Sequence, residues 1–131
     1  MELEFISAVR ANNFELVKKL IDEGVDVNYQ DKYGNTALIY ASRQGNKEIC
    51  NLLINYGADI NIQNKLGCTA LITSSNRGHK EICELLVDAG AGLEVSDKYY
   101  KRFYEKGMKE VVGKLAFNRR KHLVDFYYKD W

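Results

Sequence analysis

Shifted by 33 residues, the chain falls on itself. Lys32, Gly34, Thr36, Ala37, Leu38 and Ile39 land on Lys65, Gly67, Thr69, Ala70, Leu71 and Ile72. Further on, Gly45, Lys47, Glu48, Ile49 and Cys50 land on Gly78, Lys80, Glu81, Ile82 and Cys83, and Leu52, Leu53, Gly57 and Ala58 on Leu85, Leu86, Gly90 and Ala91. A fixed period of this length means one small supersecondary unit used several times. One step back, Ala8, Glu15, Leu16, Val17, Leu20, Gly24, Asp26 and Asn28 fall on Ala41, Glu48, Ile49, Cys50, Leu53, Gly57, Asp59 and Asn61. The first unit therefore owns its helices but begins too late to own the segment before them.

The local chemistry of a unit follows from its residues. Thr36 and Thr69 precede apolar runs and can cap a helix start through the side-chain oxygen. Leu38, Ala41 and Ser42 follow at helical spacing, and Gly45 ends the segment. Asn46, or His79 one unit later, can cap a second helix whose apolar positions are Ile49, Cys50, Leu52 and Leu53. Gly24, Gly57 and Gly90 stand where a helix C-terminus favours a left-handed residue. The polar stretch from Ala58 to Lys65 is too short for a helix and is expected as an extended turn. Each unit is thus two short antiparallel helices and a projecting hairpin. Such helices are marginal alone, so the units must stack.

The segment DKYGNTALIYASRQGNKEICNLLINYGADIN, Asp31 to Asn61, resembles the ankyrin repeat: a DxxGxT start, an LxxA helix, a glycine, a leucine pair and GADxN. The resemblance implies an all-α repeat solenoid in which 1–30 is the N-terminal capping repeat, 31–63 the second and 64–96 the third. Where the family usually carries a TPLH run, this chain has Thr36-Ala37-Leu38-Ile39 and Thr69-Ala70-Leu71-Ile72. The absence of any proline from the chain reflects that departure. It removes a preorganised first helical position, and the missing histidine removes a side chain that ties neighbouring loops in the family.

After residue 96 the pattern weakens. With a four-residue deletion, Lys106-Gly107-Met108-Lys109-Glu110-Val111-Val112 falls on Arg77-Gly78-His79-Lys80-Glu81-Ile82-Cys83, and Leu115 on Leu86. Residues 97–118 are expected as a degenerate fourth repeat, capped by Asp97 and softened by Gly113, a mid-helix glycine costing about 1 kcal/mol. In residues 119–131, Leu123, Val124, Phe126 and Tyr127 suit a C-terminal helix capping the stack. All five segments are expected to form one domain.

Charge divides at the same boundary. Residues 1–96 carry 9 basic and 13 acidic side chains, whereas 97–131 carry 10 basic and 5 acidic ones. Basic residues interleaved with Tyr99, Tyr100, Phe103, Tyr104 and Trp131 admit an alternative reading, nucleic-acid binding by phosphate neutralisation and stacking. A structural alternative has the C-terminal helix dock on a second copy. The plainer expectation is that the aromatics pack the cap, the charges keep it soluble and the chain is a monomer. The N-terminus has no basic stretch before an apolar block, no apolar run suits a bilayer, and three cysteines without an export signal suit a reducing, cytoplasmic setting.

Chemistry-bearing motifs are sparse. No phosphate loop, carboxylate pair or nucleophile elbow is visible, so no enzyme and no cofactor are expected. His79 and Cys83 share a helix face with Cys50 one unit away, but zinc takes about four ligands and no fourth candidate is evident. Val17 and Val112 at the same repeat position as Cys50 and Cys83 indicate a small buried slot instead. A Cys50–Cys83 disulfide is disfavoured because stacked repeats lie roughly 10 Å apart, beyond the ~7 Å Cα limit. Cys68, on a hairpin tip, is the expected exposed thiol.

The resemblance implies a protein–protein interaction module binding another protein through its concave face, formed by hairpin tips and exposed first-helix positions. In the second unit these are Lys32, Tyr33, Asn35, Tyr40, Arg43 and Gln44, and in the third Lys65, Leu66, Cys68, Thr73, Asn76 and Arg77. Arg10 and Gln30 extend the surface from the first unit. Tyr33, Tyr40, Arg43, Leu66 and Arg77 are the expected energetic anchors, since aromatics and arginine dominate interface hot spots.

Overall fold

Along residues 1–91 the helices follow one another in pairs: α1 (Glu2–Arg10) with α2 (Phe14–Asp22), α3 (Ala37–Gln44) with α4 (Lys47–Asn55), and α5 (Ala70–Asn76) with α6 (Lys80–Asp88). The structure is a computed structural model, and it describes residues 1–91, 108, 111 and 113–117. Residues 113–117 are also helical. The chain is an all-α repeat solenoid, as the period predicts.

The helix starts follow the expected chemistry in part. Thr36 Oγ1 accepts from Ile39 N at 3.2 Å and Thr69 Oγ1 from Ile72 N at 3.3 Å. Asn13 does the same for Leu16 N at 3.2 Å. Asn46 and His79 occupy the N-cap positions of α4 and α6 but form no cap bond, which corrects the sequence expectation. Their polar atoms are engaged elsewhere: Asn46 Nδ2 donates to Gln44 Oε1 at 3.1 Å, and His79 Nε2 lies 3.0 Å from the Arg43 carbonyl oxygen.

Helices α1, α3 and α5 form one row, and α2, α4 and α6 a second. The first row is packed more closely than the second, so the stack curves with the first row inside. Between the rows lies a continuous core of Phe5, Leu38 and Leu71 from the inner helices and Val17, Leu53 and Leu86 from the outer ones. The small slot is real: Val17, Cys50 and Cys83 are all fully buried, and Val112 lies outside the described residues. Met108, Val111 and Leu115 extend the same core, and Lys114 Nζ reaches Asp88 Oδ1 at 2.7 Å. The expected terminal helix over 119–131 and the Asp97 cap fall outside the described residues.

Among the described residues no strand forms, so each projecting hairpin is a tight turn. Asp31 N donates to the Asn35 carbonyl at 3.0 Å and Gly34 N to the Asp31 carbonyl at 2.9 Å. One unit on, Asn64 N to Cys68 O and Gly67 N to Asn64 O repeat the pattern at 2.9 Å each. Adjacent turns touch directly, with Lys65 N donating to the Tyr33 carbonyl at 3.1 Å. That approach requires glycine at 34, where φ is +78° and a Cβ would stand 2.9 Å from Lys65 N.

Gly57, at φ +86°, is different: a Cβ there would meet nothing within 4 Å. Alanine at either site meets the left-handed penalty of about 1–2 kcal/mol. Only Gly34→Ala also meets neighbouring backbone, so it should lose at least about 1 kcal/mol more than Gly57→Ala in urea denaturation. Equal losses would show that the inter-turn contact yields freely.

Candidate interaction surface

The expected surface residues do not behave alike. Lys32, Tyr33, Gln44, Lys65, Leu66, Asn76 and Arg77 are exposed, while Arg43 and Cys68 are half-buried. Asn35, Tyr40 and Thr73 are corrections, at 5%, 5% and 7% exposure. Asn35 is drawn inward because its Oδ1 accepts from Asn64 Nδ2 at 2.9 Å. Tyr40 is long enough to reach back from α3 to its own hairpin, and its hydroxyl donates to the Asp31 carboxylate. Thr73, at the equivalent position in α5, is packed in the helix row rather than displayed.

A cleft of about 510 Å³ gathers Arg10, Tyr33, Asn35, Tyr40, Arg43, Asn64, Lys65 and Leu66. It runs from the end of α1, across α3, to the second and third hairpins. Lys32, Gln44, Cys68, Thr73, Asn76 and Arg77 do not line it. Gln44 instead donates from Nε2 to the Arg10 carbonyl at 3.0 Å, closing the C-terminus of α1. Gln30 Nε2 likewise donates to the carbonyls of Gly34 and Gln63 at 2.9 and 3.1 Å, tying two loops. In this chain Gln30, Asn35 and Asn64 supply the loop-to-loop bonds.

Tyr40 forms the floor of the cleft. The Arg10 guanidinium lies over its ring at 5.1 Å from the centroid and that of Arg43 at 5.5 Å. Contacts of this kind contribute about 0.5–1 kcal/mol at exposed sites. Among the described residues neither guanidinium has a carboxylate within ion-pair distance. Asp31, beneath them, is committed inward: its Oδ1 accepts from Tyr33 N and Asn35 N at 3.0 Å each, and its Oδ2 from Tyr40. Burial by itself raises the Asp31 pKa, but the Tyr40 hydroxyl, the two amides and the Arg10 charge outweigh it and hold the carboxyl below its ordinary value. Burial, together with the bond to Asp31, raises the Tyr40 pKa.

Asp31 and Asn64 are functional neighbours that pattern reading passes over. Both look like turn residues in sequence, and their shared repeat position with unlike side chains is the one available signal. Asn64 Oδ1 accepts from Leu66 N and Cys68 N at 2.9 and 3.0 Å, as Asp31 does in its own turn. Its amide nitrogen is then free to bond Asn35, which a carboxylate cannot do.

The residues weighed for metal are otherwise engaged. Cys83 Sγ lies 3.2 Å from Ser74 Oγ, and His79 Nε2 faces the Arg43 carbonyl. Among the described residues no three His, Cys, Asp or Glu side chains converge as metal ligands, and no helix is long and apolar enough to cross a membrane. No disulfide joins the three cysteines, and burial pushes the Cys50 pKa up to about 11.

Paired helices and projecting turns stacked in two rows define a helical repeat solenoid. The profile of ankyrin repeats in three copies matches residues 5–98, and the chain belongs to the ankyrin repeat family. The family is typically a non-enzymatic protein-interaction module. No curated protein matches the chain.

Two outcomes check the site. Asp31→Asn preserves the acceptor for the turn amides, as Asn64 demonstrates, and removes the charge. A depressed carboxyl pKa stabilises the fold above its ordinary value and ceases to do so as pH falls through the folded-state pKa. The stability advantage of the unmodified chain over Asp31→Asn should therefore be full above the ordinary carboxylate range and shrink steadily as urea titrations are taken to more acid pH. An advantage that grew in acid would overturn this account. In the native protein, iodoacetamide at about pH 8 should modify Cys68 well before Cys50 or Cys83, since a buried thiol is protonated and inaccessible; peptide mapping gives the order.

Proposed function

We propose that the chain is a non-catalytic module that seats one protein partner on the inner cleft between its second and third hairpins. The observation that carries this reading is the pair Tyr33 and Leu66, at the same position of adjacent units and 57% and 87% exposed. Both line the same cleft. Leu3, Tyr56 and Phe117 are also exposed apolar side chains, but none of them lines it. Covering a leucine that stands almost wholly in water gains about 1.5–3 kcal/mol, which makes the two tips natural anchors beside a rigid floor.

The floor matters as much as the tips. Asn35, Tyr40, Asp31 and Asn64 are hydrogen-bonded among themselves, so the cleft is shaped before a partner arrives and little ordering cost falls on binding. The same reading makes 97–118 a shortened fourth unit that closes the core, supported by the burial of Met108, Val111 and Leu115. The partner surface then belongs to the first three units.

The double variant Tyr33→Ala/Leu66→Ala touches neither core nor turn hydrogen bonds through its side chains. Affinity capture from native lysate, quantified by mass spectrometry, should lose at least about tenfold of its specific partner with this variant. The melting temperature should stay unchanged. Undiminished capture by the folded variant would remove the cleft as the binding surface.

A further inference from the structure

Charge is sorted between the two faces of the stack. The outer helices and the turns that follow them (14–26, 47–59 and 80–88) carry nine acidic side chains against four lysines. The hairpins and the C-terminal ends of the inner row carry Arg10, Lys32, Arg43, Lys65 and Arg77, while Glu2 and Glu4 stand at the opposite end of α1. Among the described residues, the carboxylate nearest the cleft is Asp31, whose oxygens are occupied by two amides and the Tyr40 hydroxyl. An array whose first 96 residues are net acidic thus presents a cationic cleft.

We propose that this cleft recognises an acidic linear segment of the partner, with a carboxylate held between Arg10 and Arg43 and an adjacent apolar side chain set against Leu66 and Tyr33. The inference rests on the protein-binding reading above and names the chemistry of its partner. Both guanidiniums lie over the Tyr40 ring, at 5.1 and 5.5 Å from its centroid, and among the described residues neither is ion-paired to a carboxylate. A guanidinium held in this way can meet a carboxylate through parallel hydrogen bonds. Lys65 adds positive charge at the rim, where it speeds encounter more than it deepens affinity.

The geometry favours a peptide over a nucleic acid. Binding single strands needs aromatic faces on which bases can stack, but the Tyr40 ring is already covered by guanidiniums. Lys32 lies over Tyr33 at 5.1 Å. Leu66, the most exposed wall, offers aliphatic surface, which suits a side chain rather than a base.

The test uses the full chain and fluorescence anisotropy with labelled short peptides, each a central leucine flanked by glutamates, glutamines or lysines. The glutamate peptide should bind at least about tenfold more tightly than the glutamine peptide, and the lysine peptide most weakly. The preference should shrink between about 50 and about 500 mM salt. Arg10→Gln/Arg43→Gln should lose about tenfold for the glutamate peptide, whereas Lys18→Gln/Lys19→Gln on the outer row should lose nothing. Because the peptide series varies charge without altering the protein, it decides the matter even if the arginine variant unfolds.

Equal affinity for the glutamate and glutamine peptides would overturn the proposal. So would an unchanged glutamate affinity in folded Arg10→Gln/Arg43→Gln, which would place the acidic peptide on the basic C-terminal segment. An oligothymidylate that displaced the glutamate peptide from the cleft at lower concentration would reassign the site to phosphodiesters. Loss of the acidic preference with Tyr33- and Leu66-dependent capture intact would remove this inference alone. Loss of both would remove the protein-binding reading as well.

Discussion

A nine-residue helix does not hold itself together in water, and every helix pair among the described residues is built from helices of that length or shorter. The contact between neighbouring units is therefore the source of order, and the rest of the structure depends on it. Phe5, Leu38 and Leu71 on one side and Val17, Leu53 and Leu86 on the other are all buried in one core that is continuous across the units. Stability of this kind is a sum over adjacent interfaces rather than one cooperative core. Surface pairs such as Lys47 with Glu81, 3.3 Å apart across α4 and α6, add little beside it.

Apolar contact alone does not set how one unit sits on the next, because packed leucines tolerate sliding. The polar ties do that. Gln30 spans two loops, Gln44 closes α1 from α3, His79 faces the end of α3 from α6, and Asp59 N donates to Asn28 Oδ1 at 2.7 Å. Each links residues 31 to 36 apart, one repeat length or close to it. Several act on helix-end carbonyls, which have no partner within their own helix. The bonds thus satisfy groups that must be satisfied anyway, and they set the spacing between units as they do so.

Much of this was legible in the sequence. The 33-residue period yields the units, Thr36 and Thr69 mark the inner helix starts, and the glycines mark the ends of the outer ones. What escaped depends on side-chain reach between units. Nothing in the pattern around Tyr40 says that its hydroxyl turns back to Asp31, so a residue at a nominally displayed position becomes a buried floor. Asn46 and His79 have good capping chemistry, but their side chains are turned toward Gln44 and Arg43 instead of over their own helix starts. Gln44 was legible as a surface residue and is exposed, yet its amide serves the fold. Spacing locates a side chain on a face; only the neighbouring unit decides whether it is used there.

The two full units also separate framework from site by where they differ. Leu38 and Leu71, Ile49 and Ile82, and Leu53 and Leu86 are identical pairs, and all are buried. Most positions at the cleft are unlike: Asp31 against Asn64, Tyr33 against Leu66, Asn35 against Cys68, Tyr40 against Thr73, Arg43 against Asn76, with Lys65 repeating Lys32 as the exception. Stacking demands that each unit offer the same apolar faces, so framework positions cannot drift apart without loss of packing. Hairpin and inner-helix positions carry no such demand. Among the described residues, a tyrosine floor beside two arginines stands where α3 meets the end of α1, because α5 has threonine at the matching position and no aromatic ring there. The cleft is local to one junction of a periodic structure, and that locality follows from Tyr40 more than from any other residue.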